Sequence, residues 1–268
     1  MSKSLHRVYL IFMLEKNKPP RSNLTEGLDI VSLLVRERRA IGVTQIAEQL
    51  GMPKSSTHRV LQTLLQLGFV EQHQVTSLYT INPTIFEFVH DLAMYFAKNI
   101  FLEKHLHEAA KIYKCSVYLC MLGGLETYIV CGAGDEGNTT RLGCHGPAYT
   151  TSAGKILVAN YPEDEWPKYA PDVDSVPPTS FSNTDPEQFF MQLREAREKG
   201  FAWNRRESSA DHYAIASVVR EPFVNRPRLA IALLFRSDKM FLYDTNDLEK
   251  TVQKIAKKLE RQLGTPIN

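Results

Sequence analysis

Residues 41 to 81, IGVTQIAEQLGMPKSSTHRVLQTLLQLGFVEQHQVTSLYTI, constrain the fold more than any other stretch of the chain. They read as two short helices, a strand and a hairpin, in the order of a winged helix-turn-helix. The first helix is expected to be capped by Thr44 and to bury Ile46, Ala47 and Leu50, with Gly51 where a helix must end in left-handed backbone geometry. Pro53 restarts the chain, because proline suits the first turn of a new helix. In the second helix Thr57, Val60, Leu61, Leu64 and Leu65 recur at three- and four-residue spacing and make one packed stripe. Gly68 ends it, Phe69-Val70-Glu71 makes a strand, and His73 to Ser77 form a polar wing tip before Leu78-Tyr79-Thr80-Ile81 returns.

The opposite face of the second helix carries Ser55, His58, Arg59, Gln62 and Gln66. Short hydroxyls and Lys54 occupy its first turn, where free backbone N–H groups and the helix dipole favour a phosphate. Longer donors follow, within reach of base edges in a major groove. The candidate DNA-binding residues are therefore Thr44, Lys54, Ser55, Ser56, Thr57, His58, Arg59 and Gln62. A solvated amphipathic helix in an ordinary helical domain is the bland alternative. It does not account for a cap, a turn glycine, a hydroxyl-basic face and a hairpin in this order.

A chain of 268 residues exceeds the usual single-domain size, so two hydrophobic cores are expected. At 43% apolar and 23% charged, its composition is that of an ordinary globular protein. The net charge of +2 is uneven: residues 1 to 80 hold ten Lys+Arg against six Asp+Glu. A basic small domain on a near-neutral larger one suits a DNA reader joined to something else. Cys115, Cys120, Cys131 and Cys144 lack metal-ligand spacing and are read as small buried hydrophobes in a reducing compartment. No metal and no cofactor is expected. The apolar run in LHRVYLIFML is too short to span a bilayer, meets Glu15 directly and lacks a cleavage site. A cytoplasmic location without membrane contact is the expectation.

Residues 1–23 are expected to form an arm, either a docking helix or a poorly ordered lead-in. The winged helix takes 24–81, opening with a helix from Leu24 to about Arg39 whose core face is Leu28, Val31, Leu34 and Val35. Residues 82–100 form a linker helix in which Ile85, Phe88, Val89, Leu92 and Phe96 make an apolar stripe. A second copy of the chain, or the chain's own second domain, would cover that stripe.

From residue 101 to 268, helices and strands alternate. Helices are expected at Phe101 to Tyr113, Ala153 to Tyr161, Asp185 to Lys199 and Asp247 to Leu263. Strands are expected at Ser116 to Leu122, Glu126 to Cys131, His212 to Val219 and Arg228 to Phe235. This mixture argues for an α+β domain in which helices cover a sheet.

Four separated motifs, GMPKSSTHRVLQTLLQLGFVEQ (51 to 72), LGCHGPAYTTSAGKILVA (142 to 159), REAREKGFAWNRRE (194 to 207) and AIASVV (214 to 219), resemble the IclR family of bacterial transcription regulators. The resemblance covers roughly Leu24 to Gly264. It implies an N-terminal winged helix-turn-helix bound to a duplex DNA operator, a linker helix that dimerises, and a C-terminal GAF-like α+β effector-binding domain. It further implies regulation of an adjacent catabolic operon and a homodimer or dimer of dimers. Repression and activation both stay open.

By that resemblance the effector-binding positions are Leu142, Tyr149, Thr151, Ser152, Ala153, Gly154, Asn204, Glu207, His212, Ala214, Leu233 and Phe235. Several depart from the family pattern. Asn204 stands where an aspartate is common, Ala214 replaces a cysteine, Leu233 and Phe235 fall at two frequent serines, and Asp211 replaces a glycine. A small organic acid, either a sugar acid or an aromatic acid, is the expected effector, met by the helix N-terminus at Thr151 to Gly154.

A small-molecule hydrolase with Ser152 as nucleophile and His145 or His212 as base is the rival class. No GxSxG elbow surrounds Ser152, and no base and orienting carboxylate stand together. A phosphate loop fails because Ile156 follows Lys155 where Ser or Thr is required. A purely architectural DNA-binding protein would not need the long α+β region.

Overall fold

The structure is a computed structural model that describes residues 21–96, 100–134, 142–172, 176–222 and 224–263, without the side chains of 90, 92–96 and 100–103. The expected arm therefore lies outside the described residues up to residue 20, as do the side chains of Leu92 and Phe96. The chain divides into two compact units, Met1–Met94 and Tyr95–Asn268.

In the first unit α1 (Asn23–Glu37), α2 (Val43–Leu50) and α3 (Lys54–Gln66) precede a hairpin of β1 (Val70–Gln72) and β2 (Tyr79–Ile81), and α4 (Ile85–Phe96) begins after it. A capping box opens α1: Thr25 N–H donates to Ser22 Oγ at 3.2 Å and Ser22 N–H to Thr25 Oγ1 at 2.8 Å. Ile30, Leu33 and Leu34 of α1 pack with Ile46, Val60, Leu61, Leu64, Val70 and Tyr79 into one core.

That core uses a different face of α1 from the expected one. Leu28 and Val35 are 58% and 55% exposed, while Gly27, Ile30, Leu33 and Leu34 are buried. Both sets satisfy helical spacing, and packing against Val60 and Leu64 of α3 selects the Gly27 side. Thr44 is not a cap either. Gly42 occupies that position without a side-chain hydrogen bond, and Thr44 is the second residue of the helix, exposed. Gly51 does end α2 in left-handed geometry, with φ at 60°.

The second unit holds α5 (Ile100–Tyr113), β3 (Ser116–Gly123), β4 (Glu126–Ala133), β5 (His145–Pro147), α6 (Ser152–Ala159), a 3-10 turn (Glu163–Tyr169), α7 (Pro186–Lys199), β6 (Ala202–Arg205), β7 (His212–Val219), β8 (Leu229–Arg236), a second 3-10 turn (Ser237–Leu242) and α8 (Thr245–Leu263). The strands form one antiparallel six-stranded sheet in the order β5-β4-β3-β8-β7-β6. The edge strand β5 and both 3-10 turns go beyond the sequence expectation.

Helices cover both faces. Val117, Leu119, Ile215, Ile231, Leu233 and Phe235 pack with Leu248, Val252, Ala256 and Leu259 of α8 and with Leu106 and Ala110 of α5. Tyr118, Cys120, Ala216, Val218, Ala230 and Ala232 pack with α6 and α7 on the other face. Strand β8 shows how the sequence builds these two layers. Its large residues, Ile231, Leu233 and Phe235, take one parity and its alanines, Ala230 and Ala232, the other. The small face lets a helix sink against the sheet, and every residue of α6 from Ser152 to Ala159 is buried. Among the described residues no helix is long and apolar enough to cross a membrane.

Candidate functional site

Two regions gather chemistry-bearing side chains: the exposed face of α3 and the first turn of α6. Pro53 precedes α3 without any side-chain cap, so the first-turn N–H groups there are not consumed by a capping oxygen. Lys54, Ser55, His58 and Arg59 are exposed beside that turn, with Ser56 half-buried. Arg59 Nη2 donates to Asn23 Oδ1 at 3.1 Å, which steadies the guanidinium at the surface. Gln62 hydrogen-bonds the phenol of Tyr79, whose pKa burial pushes above the usual tyrosine value.

Thr57 is corrected. It is fully buried, and its hydroxyl donates to Pro53 O at 3.1 Å, so it belongs to the core and cannot meet a base. The wing between β1 and β2 closes through Ser77 N–H to His73 O at 2.8 Å, and Val75 at its tip is 89% exposed.

At α6, Thr151 is the N-cap and its hydroxyl accepts from Gly154 N–H at 3.0 Å and meets the Thr127 hydroxyl at 2.9 Å. Gly154 is required by close approach. A Cβ there would stand 2.3 Å from Ala148 O and 2.5 Å from Ala148 Cα. Capping by Thr151 leaves the N–H groups of Ser152 and Ala153 as the first-turn donors. Tyr149 and Ala153 share the buried cluster on this face of the sheet.

The turn after β6 is tied to the same helix. Lys155 Nζ lies 2.6 Å from Glu207 Oε1 and 2.6 Å from Oε2, and donates to Trp203 O at 3.0 Å. Burial drives the Lys155 pKa down, and the Glu207 carboxylate opposes that shift. Asn204 organises the turn from within: its Oδ1 accepts from Glu207 N–H at 2.8 Å and its Nδ2 donates to Ser208 Oγ at 2.6 Å. An amide does here what a carboxylate could do only in part, since it both accepts and donates. Ser182 Oγ and Thr179 Oγ1 donate to Glu207 O at 2.7 Å and 3.2 Å, strapping the preceding loop onto the turn.

Ala214 pairs with Asn204 on β6 and with Leu234 on β8, and so faces α6. His212 is half-buried, with its Nδ1 3.1 Å from Ser209 Oγ. Leu142 is 53% exposed in the loop before β5. Leu233 and Phe235 do not join this group. Strand parity sends them into the core with α8, and Ala230, Ala232 and Leu234 are the β8 residues on the α6 face. A one-residue shift in a strand exchanges every side chain between faces, which is why the expected wall was assigned to the wrong parity.

Contrary to the sequence expectation, one proposed base does stand with a carboxylate, but the proposed nucleophile is buried. His145 Nδ1 engages the Glu126 carboxylate, its ring stacks on Tyr128 at 5.2 Å, and Ser152 is 2% exposed. Cys120 is buried and its thiol pushed up to about 12, which makes it inert. Of the four cysteines expected to be buried, Cys115 and Cys120 are, whereas Cys131 is half-buried and Cys144 exposed. Among the described residues no cluster of His, Cys, Asp or Glu is arranged to hold a metal ion.

Residues 24–74 match the family model described as the IclR helix-turn-helix domain, and residues 103–261 match that of the bacterial transcriptional regulator IclR C-terminal domain. The HTH-type transcriptional regulator KdgR of Escherichia coli is 25% identical over 94% of this chain and 96% of its own length. The Pca regulon regulatory protein of Pseudomonas putida is 25% identical over 67% of this chain and 62% of its own. Among solved structures, an IclR homologue from Microbacterium hydrocarbonoxydans in complex with 4-hydroxybenzoate superposes with a TM-score of 0.73 at 16% identity, over 90% of this chain and 99% of that one.

Proposed function

This chain belongs to the IclR family of transcription regulators and is not an enzyme, and on that premise we propose that a small organic acid bound beside the first turn of α6 sets its affinity for a duplex DNA operator. The observation that carries this proposal is α6 itself. A fully buried helix whose first turn still offers the N–H groups of Ser152 and Ala153 is matched to a carboxylate, because free donors and the helix dipole act there in a low dielectric. The complex of the Microbacterium homologue with 4-hydroxybenzoate supports an acid as the ligand class.

Tyr149, Thr151, Asn204, Glu207, His212 and Ala214 are retained as residues that shape the site, with Asn204 and Glu207 acting through the turn they build. On β8, Ala232 and Leu234 shape the site in place of Leu233 and Phe235. At the other end of the chain, Lys54 and Arg59 serve phosphates, while Ser55, Ser56 and His58 meet base edges.

Two copies of the chain bind a two-fold site. Phe86, Phe88 and Val89 on α4 are 71%, 59% and 42% exposed, apolar surface that a partner would take out of water. A homodimer, or a dimer of dimers, would cover them and would face a near-palindromic operator. Sedimentation at micromolar concentration checks this, and a clean monomer contradicts it.

A thermal-shift screen of sugar acids and aromatic acids, repeated on Ser152→Trp, tests the effector site. Stabilisation by an acid that disappears in the variant supports it. Hits unchanged by Ser152→Trp place the ligand elsewhere.

A further inference from the structure

Resting on the assignment of α3 as the DNA-reading helix, we propose that Arg21, with Lys18 and Lys16 before it, binds phosphates of the duplex backbone beside that helix. The entry to the first domain thereby extends the operator footprint beyond α3.

Two hydrogen bonds place the start of the domain against α3. Arg21 Nη2 donates to Gly51 O at 3.0 Å, in the turn between α2 and α3. Arg59 Nη2, on α3 itself, donates to Asn23 Oδ1, at the first residue of α1. These contacts join residues 30 and 36 positions apart, so tertiary packing and not chain adjacency fixes residues 21–23 beside the N-terminal half of α3. Arg21, Asn23, Lys54 and Arg59 are all exposed. The chain that precedes α1 therefore arrives at the edge of the face carrying Lys54, Ser55, His58 and Arg59.

The charges there are held but not cancelled. Both acceptors, a backbone carbonyl and a side-chain amide, are neutral oxygens. They orient each guanidinium and leave its charge and further N–H donors for an anion. Arginines of the second unit are used differently: Arg194, Arg226, Arg228 and Arg236 each meet a carboxylate. Upstream, residues 1–20 carry Lys3, Arg7, Lys16 and Lys18 against Glu15 alone. Lys18 and Lys16 precede Arg21 by three and five residues, at most about 11 Å and 18 Å of extended chain. Over such a span one DNA strand presents a phosphate about every 3.4 Å of helix axis, a repeating charge that cations anchored beside α3 can follow. Contacts of this kind add affinity without base preference.

Fluorescence anisotropy of the full-length protein, on a selected operator and on a random duplex across a salt series, tests this. Loss of one phosphate contact should flatten the plot of log affinity against log salt by about 0.9, equally on both duplexes. Arg21→Gln keeps a side-chain N–H for Gly51 O and removes the charge, so it should flatten the slope by that amount without lowering Tm. Arg21→Lys should keep the wild-type slope. Lys16→Ala combined with Lys18→Ala should flatten it about twice as much. Lys257→Ala, at an exposed cation on α8, should leave it unchanged. An unchanged slope for Arg21→Gln, or a loss that Arg21→Lys does not restore, overturns the role of Arg21; an unchanged slope in the double variant overturns that of the lysines. A loss confined to the operator, or an equal flattening by Lys257→Ala, overturns a backbone contact. Arg59→Ala separates the two layers. If it flattens the slope while Arg21→Gln does not, the extension alone is wrong; if neither does, α3 is not the DNA-reading helix.

Discussion

Lys155 Nζ sits 2.6 Å from both carboxylate oxygens of Glu207, a residue 52 positions further along the chain, and the side chains of both are almost wholly buried. The single charge of α6 therefore braces the turn between β6 and β7 rather than facing a ligand. Glu207 in turn is held through its backbone by Thr179 and Ser182. One ion pair thus joins the helix that offers N–H donors to the turn that Asn204 shapes.

Breaking that pair from one side should be costly. Lys155→Met or Glu207→Gln leaves a buried group without its partner and should lose about 3–5 kcal/mol, whereas Lys155→Met combined with Glu207→Leu should recover most of the loss. Urea unfolding of the three variants measures this. Single variants as stable as the wild type would mean that the pair is hydrated in solution.

Gly154→Ala should destabilise more than an ordinary helix substitution, in which alanine is favoured by about 1 kcal/mol over glycine. The added methyl meets the Ala148 backbone, which has little room to yield. A fall in Tm together with loss of acid-induced stabilisation is expected. A rise in Tm would show that the loop before α6 moves freely.

Thr57→Val and Ser55→Ala should separate core from interface on α3. Thr57 is buried against Pro53, so valine there should cost stability and leave base preference unchanged. Ser55→Ala should leave stability alone and cost about 1–3 kcal/mol at one base position. Selection of bound duplexes from a random pool, read for each variant, distinguishes these outcomes.

Tyr79 gives the winged helix a defined alkaline limit. Burial raises its folded-state pKa above the ordinary value of 10.0. Above pH 10 the unfolded chain then releases its proton first, so the stability held below that pH is lost as pH climbs through the raised pKa. Tyr79→Phe should be less sensitive over the same window. Chemical denaturation from pH 9 to 11 monitors it, and identical pH slopes in the two proteins would contradict the burial of this phenol.

Much of the structure in both units was legible in sequence where its signals are local. Gly51 ends α2, the stripe of Val60, Leu61 and Leu64 is the packed face of α3, and Asp185 caps α7 above Phe189, Leu193 and Ala196. The misses came where two patterns competed or where the partner is distant. On α1, Leu28 with Val35 and Ile30 with Leu33 are equally periodic, and only packing against α3 separates them. On β8 the run from Leu229 to Phe235 is apolar throughout, so nothing in it announces which parity faces α6. Lys155 reads as part of a SAGK motif, with no local hint of Glu207. Arg21 reads as one cation of a polar lead-in, because its place at the turn before α3 emerges only when α1 is packed.

The most direct test of acid-controlled operator binding is fluorescence anisotropy on a duplex selected by the full-length protein, with 4-hydroxybenzoate titrated into wild type and Ser152→Trp. Coupling between two sites is typically about 1–3 kcal/mol, so operator affinity of the wild type should change about 5- to 150-fold at saturation, and that of Ser152→Trp should not change. An acid that binds the wild type beside α6 yet leaves operator affinity unaltered would contradict the regulatory role assigned to this domain.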